Sequence, residues 1–139
     1  MPTDRTVLLA TDADWVADEV DAALADETTE VLRIRTGVEV VDTTGAVEPD
    51  LVILDLQIGN MGGMAACMAL RLEEGAGRLD PVAVLMLLDR PHDAFLAKRS
   101  LADGWLTKPL DAFRLRKAAT AILAGGEWHD GPVAEAAPA

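Results

Sequence analysis

Short apolar runs alternate along the chain with segments whose apolar residues recur three or four positions apart. Residues 6–11 (TVLLAT) make a first strand that ends at Asp12. Val16, Val20, Ala23 and Leu24 then follow at helical spacing and predict a helix over residues 14–25. Residues 29–35 alternate, with Val31, Arg33 and Arg35 against Leu32 and Ile34, as an edge strand with one wet face does. A short helix with little periodicity is expected over residues 37–45. Leu51 to Leu54 is apolar throughout, bounded by turn residues, and Asp55 closes it. Such a run suits a strand buried on both faces. Past a glycine-bearing loop at 59–63, a helix is expected over residues 63–74, ended by Gly75 and Gly77. Residues 82–88 are again wholly apolar and predict a central strand. Asp89 is then the expected N-cap of a helix over residues 91–102, with Pro91 in its first turn. Residues 104–107 form a fifth strand, which Lys108-Pro109 terminates. Asp111 caps a last helix with a buried stripe of Leu115, Ala118, Ala119 and Ile122, stopped at Gly125-Gly126.

Five strand–helix units predict an α/β fold: a doubly wound, five-stranded parallel sheet, flavodoxin-like, in strand order 2-1-3-4-5. One domain is expected over residues 1–126, and the Ala/Pro/Gly-rich residues 127–139 read as a disordered tail. The length of 139 residues agrees with a single domain. Twenty-four acidic against 12 basic residues leave a net charge of −12, which argues against binding nucleic acid or anionic membrane through bulk charge. Cys67 is the only cysteine, so no intrachain disulfide forms, and with Met64, Met68 and Leu70 around it it reads as a packing residue. The amino terminus lacks the pattern of a signal peptide, and no apolar run is long enough to span a membrane. A soluble, cytoplasmic protein is expected.

Charge changes the picture most at the strand ends. Asp12, Asp55 and Lys108 close strands one, three and five. In this fold those ends share the edge where ligands bind, and strands one and three are neighbours across the switch point. Alone, Asp55 could merely end its strand in a turn, and Lys108 could be a solvated loop lysine. Together, two carboxylates and an ammonium make a different set. A hard cation such as Mg²⁺ suits the carboxylates, and the lysine offsets charge on a phosphoryl group. That combination suits an aspartate that accepts a phosphoryl group.

At these residues the chain resembles the receiver domain of two-component response regulators, from about residue 6 to residue 124. PDLVILDLQIGNMGG and DGWLTKPLDAFRL carry the resemblance. It implies that Asp55 is the phosphoacceptor, that Asp12, Asp55 and the Gln57 backbone carbonyl hold Mg²⁺ or Mn²⁺, and that Lys108 contacts the phosphoryl group. Trp105 falls where the family carries an aromatic that changes rotamer on activation; it could equally be a plain anchor at the sheet edge. Four positions depart from the family, one of them Gly59, which stands where the family has proline in the loop after Asp55. Thr11 stands where a second acid is usual, which removes a charge beside the metal. Counting back from Lys108 by the family interval puts Met86 in place of the strand-four Thr or Ser, and Leu87 in place of the small residue after it. Methionine has no proton to donate.

Two functions follow from this pattern. One is a stand-alone receiver that accepts phosphoryl from a sensor histidine kinase or phosphotransfer protein and signals to a downstream protein through its helix 4–strand 5–helix 5 face. On this expectation the chain is not an enzyme beyond self-phosphorylation and slow self-dephosphorylation. The other is a degenerate receiver, an interaction module independent of phosphorylation, which Thr11, Met86 and Leu87 favour. A flavin site would need a Ser/Thr/Gly-rich loop after strand one, and ATDADWV offers carboxylates instead. No Walker A loop, nucleophile elbow or zinc-type cluster occurs. Residues 90–117 carry seven basic and three acidic side chains in an otherwise acidic chain. Lys98, Arg99, Arg114, Arg116 and Lys117 therefore mark an expected face for an acidic partner or a second copy.

Overall fold

The computed structural model describes residues 4–129. Six strands form one parallel sheet: β1 (Arg5–Ala10), β2 (Thr29–Ile34), β3 (Leu51–Asp55), β4 (Ala83–Leu88), β5 (Gly104–Thr107) and β6 (Trp128–His129). Between them run helices α1 (Asp14–Leu24), α2 (Val40–Val47), α3 (Gly63–Gly75), α4 (Ala94–Arg99) and α5 (Ala112–Leu123). Strand order is β2-β1-β3-β4-β5-β6. The five-strand order expected from the sequence is thus present but extended by one strand. Trp128 and His129 pair with Gly104 and Trp105, so the described chain is ordered past the expected boundary at residue 126. Residues 130–139 of the expected tail lie outside the described residues.

Strand side chains divide by parity, as they must in a pleated sheet covered on both faces. Leu8, Val52, Leu54, Val84, Met86, Leu88 and Trp105 join the core under α2, α3 and α4. Leu9, Leu51, Ile53, Leu85, Leu87 and Leu106 join the core under α1 and α5. All five residues of β3 are buried, including Asp55. The central strands are therefore packed from both sides, and their carboxyl ends form one rim.

Local chemistry shapes the elements around that rim. Asp111 caps α5 as expected, its Oδ1 accepting the Arg114 backbone N–H at 2.9 Å. The expected cap on α4 is absent. The segment opens as a 3₁₀ turn, Pro91–Asp93, and no side-chain cap bond precedes α4. Asp89 is engaged elsewhere, with Lys108. The 3₁₀ turn and α4 end at Arg99, because Leu101 takes a left-handed φ of 67° and turns the chain toward β5. The short segment after β2 also begins as a 3₁₀ turn, Gly37–Glu39, before α2. Gly63 opens α3 against the end of β3, where a Cβ would lie 2.6 Å from the Asp55 carbonyl oxygen. That close approach brings the β3–α3 loop back over the site.

Arg71 ties the far side together. From α3 it donates to the carbonyls of Leu101 and Val82 and pairs with Glu74 and Asp103. Its side chain is only 15% exposed, so these bonds are shielded from solvent.

Candidate functional site

β1, β3 and β5 deliver Thr11-Asp12, Asp55 and Lys108 to one rim, as the strand ends predict. Asp55 is 2% exposed and its two oxygens are both engaged. Oδ1 accepts from Lys108 Nζ at 2.8 Å and from the Gln57 backbone N–H at 3.2 Å. Oδ2 accepts from the Thr11 hydroxyl at 2.7 Å. A buried carboxylate needs such partners to repay its lost hydration.

Thr11 is more than a missing acid. It is fully buried, donates to Asp55, and its Oγ1 accepts the Ala13 N–H at 3.1 Å. The hydroxyl thus orients Asp55 from the β1 side and shapes the start of α1. Its own carbonyl accepts from Arg33 Nε at 3.1 Å, which binds β2 to the same corner. Asp12 is exposed, and its Oδ2 accepts the Gly59 N–H at 3.1 Å.

Lys108 is 11% exposed and bridges two carboxylates, Asp55 at 2.8 Å and Asp89 Oδ1 at 2.9 Å. Burial alone would pull its pKa down and is the largest single influence. The hydrogen bonds to Asp55 and Asp89 outweigh it, so the ammonium is held charged more firmly than an ordinary lysine. The Trp15 ring lies across from it, 5.7 Å from Nζ to the ring centroid.

Met86 does not reach this rim. It is fully buried in mid-strand, opposite Leu54 and Trp105, one level before Asp55. Leu87 pairs with Asp55 and turns its side chain into the α1–α5 core. The strand's last residue is Leu88, whose carbonyl accepts the Lys108 backbone N–H at 2.8 Å. The position counted back from Lys108 thus falls two residues short of the rim, where Leu88 and Asp89 stand. The absence of a hydroxyl holds, since β4 reads AVLMLL. Asp89 and Trp15 are the site residues that sequence reasoning missed. Asp89 follows a strand as Asp12 does, and that shared position was its available signal.

The oxygen donors suit a hard cation. Asp12, Asp55 and the Gln57 carbonyl make a sparse set, and among the described residues no group of three or more acids, histidines or cysteines is close enough to hold a metal. Such a set fits a Mg²⁺ ion that keeps several of its waters, and does not fit an ion enclosed by protein.

Trp105 is 4% exposed and stacks on His129, with centroids 4.3 Å apart and rings 12° from parallel. Its Nε1 is buried without a hydrogen-bond partner. The expected basic face is only partly presented. Arg116 donates to the Ala23 carbonyl, and Arg114 to the carbonyls of Pro109 and Thr107 and to Asp111. These two arginines fasten α5 in place. Lys98 and Arg99 are exposed, Lys117 is exposed over the Phe113 ring, and Phe95 and Phe113 stand out from the same helices.

Residues 7–120 match the family model for the response regulator receiver domain. Protein PilH of Pseudomonas aeruginosa is 28% identical over 119 residues, spanning 86% of this chain and 98% of that protein. The DNA-binding response regulator MtrA of Mycobacterium tuberculosis is 33% identical over 97 residues, spanning 64% of this chain and 41% of that one. The high-resolution structure of the chemotaxis response regulator CheY4 of Vibrio cholerae superposes with a TM-score of 0.76 at 25% identity, covering 86% of this chain and 99% of that chain.

Proposed function

Because the chain belongs to the response regulator receiver domain family, we propose that it accepts a phosphoryl group on Asp55 from a histidine kinase or phosphotransfer protein in the cytoplasm. It then passes that state to a downstream protein through the face built by α4, β5 and α5. The observation that carries this proposal is the 2.8 Å bridge from Lys108 Nζ to a buried Asp55, at the rim that also bears Asp12.

In the transfer, a carboxylate oxygen of Asp55 attacks phosphorus. The bond from phosphorus to the donor's imidazole nitrogen breaks, and its electron pair stays on the imidazole. An acyl phosphate forms on Asp55. Thr11 and the Gln57 N–H each hold one oxygen of that carboxylate by a hydrogen bond. Lys108 supplies positive charge where the phosphoryl oxygens gather. Asp12, Asp55 and the Gln57 carbonyl are the residues to hold Mg²⁺, which when bound offsets charge on the same oxygens. Beyond accepting the group and losing it slowly to water, the chain carries no catalytic role.

A second function is favoured by one observation. β4 ends in Leu88, and no hydroxyl on that strand can meet a phosphoryl oxygen. A module that binds its partner irrespective of phosphorylation would need none.

Intact-mass spectrometry after incubation with acetyl phosphate and Mg²⁺ separates the two. A single phosphoryl adduct on the parent, absent from Asp55→Asn, is the expected result. Lack of an adduct with acetyl phosphate and with a phosphorylated kinase domain alike, together with unchanged partner binding by Asp55→Asn, would favour the second function.

A further inference from the structure

β4 lacks the hydroxyl by which a phosphoryl group could be felt on that strand, yet its end is wired to the site by another route. Lys108, its side chain 11% exposed, divides its Nζ donors between Asp55 at 2.8 Å and Asp89 at 2.9 Å. Asp89 is the first residue past β4, and the backbone of Lys108 is bound to the Leu88 carbonyl beside it. One cation therefore serves two competing carboxylates, one at the site and one on the segment that leads into α4.

We propose that Asp89 is a positioning residue that couples the state of Asp55 to the β4–α4 segment through Lys108. This inference rests on the phosphoacceptor function proposed above for the modified state, and stands without it for the resting one. A phosphoryl group adds negative charge and three strong acceptor oxygens at Asp55. Lys108 is drawn to them, and Asp89 loses its partner while facing new negative charge. The charge on Asp89 then pushes the segment outward, a response that needs no hydroxyl on β4.

The segment is built to yield. Arg90 and Asp93 form its own ion pair at a long 3.3 Å, and the Arg90 side chain is 63% exposed. The other Asp93 oxygen is buried with no hydrogen-bond partner. The Trp105 Nε1 is likewise buried and unpartnered, on the strand next to β4. A buried donor and a buried acceptor left unused in the resting arrangement lower the cost of leaving it.

Backbone amide NMR spectra of the parent, Asp55→Asn, Asp89→Asn and the double variant test this directly. Each is recorded with and without acetyl phosphate and Mg²⁺. In the unmodified proteins, Asp55→Asn weakens the pull on Lys108 and shifts the amides of residues 90–94. That shift is expected to fall at least about threefold when Asp89 is also replaced, the non-additivity that marks coupled residues. In the phosphorylated proteins, changes at residues 90–94 and 105, normalised to adduct fraction, are expected to be lost in Asp89→Asn. Equal shifts with and without the Asp89 charge would overturn the coupling. Failure of the parent to form any adduct would instead count against the proposed function, while the unmodified set still decides the role of Asp89.

Discussion

Thr11 shows at the scale of one residue why identity and role come apart. As a letter it is a lost carboxylate; in the fold it is the hydroxyl that satisfies Asp55 Oδ2 at 2.7 Å. Thr11→Val should leave that buried oxygen short of a partner and cost about 1–3 kcal/mol, read from the urea midpoint at constant slope. Thr11→Asp should do the opposite for the cation. It destabilises the apo protein by placing two buried carboxylates together, and Mg²⁺ should then raise its Tm more than it raises the parent's. Asp12, Asp55 and Lys108 were legible because strand ends can be read from apolar runs. The roles of Thr11 and Asp89 were not, since each depends on a hydrogen bond between strands that are far apart in sequence. Cys67 was legible as a packing residue. It is buried, its Sγ lies 3.2 Å from the Ser100 carbonyl oxygen, and burial pushes its thiol pKa up. Ellman's reagent should therefore label it only as fast as the protein opens.

Elements were legible where periodicity and punctuation agreed. β3 and β4 announced themselves as uninterrupted apolar runs, and α5 by its cap and its stripe. The α4 region is shorter than its pattern suggests and lacks the expected cap, because Pro91 and Asp89 look the same whether they open an α-helix or a 3₁₀ turn. The position counted on β4 failed for a related reason: an interval counted along a chain ignores how long the connecting turn is. Two further predictions belong at this scale. Arg71 joins α3 to the ends of β4 and β5 in a largely shielded network, so Arg71→Ala should cost about 3 kcal/mol in chemical denaturation. Asp111 has a lowered pKa, chiefly because its carboxylate accepts the Arg114 backbone N–H. Its capping contribution is present above the unfolded carboxyl pKa of about 4 and is lost as pH falls through the lower folded value. Asp111→Asn should flatten that part of the stability–pH profile.

At the scale of the whole molecule the sheet carries a strand that no apolar run foretold. β6 is two residues long, too short for any periodicity, and is held by pairing to β5 and by the His129 stack on Trp105. A Cβ on Gly104 would lie 2.5 Å from the Trp128 carbonyl oxygen and 2.8 Å from Ile122 Cδ1. Gly104→Ala should displace β6, quicken proteolysis beyond residue 126 and shift the tryptophan emission. The same strand borders the α4–β5–α5 face, where Arg114 and Arg116 serve the fold while Lys98, Arg99 and Lys117 stand exposed.

The proposed function makes Asp55 the place where the molecule receives its signal. The most direct measurement is to find where the phosphoryl group sits. Protein treated with acetyl phosphate and Mg²⁺ is reduced with borohydride, which converts an aspartyl phosphate to homoserine, and then mapped by peptide mass spectrometry. Homoserine at position 55, and at no other aspartate, is the predicted result. Homoserine at Asp12 or Asp89, with Asp55 unchanged, would contradict it.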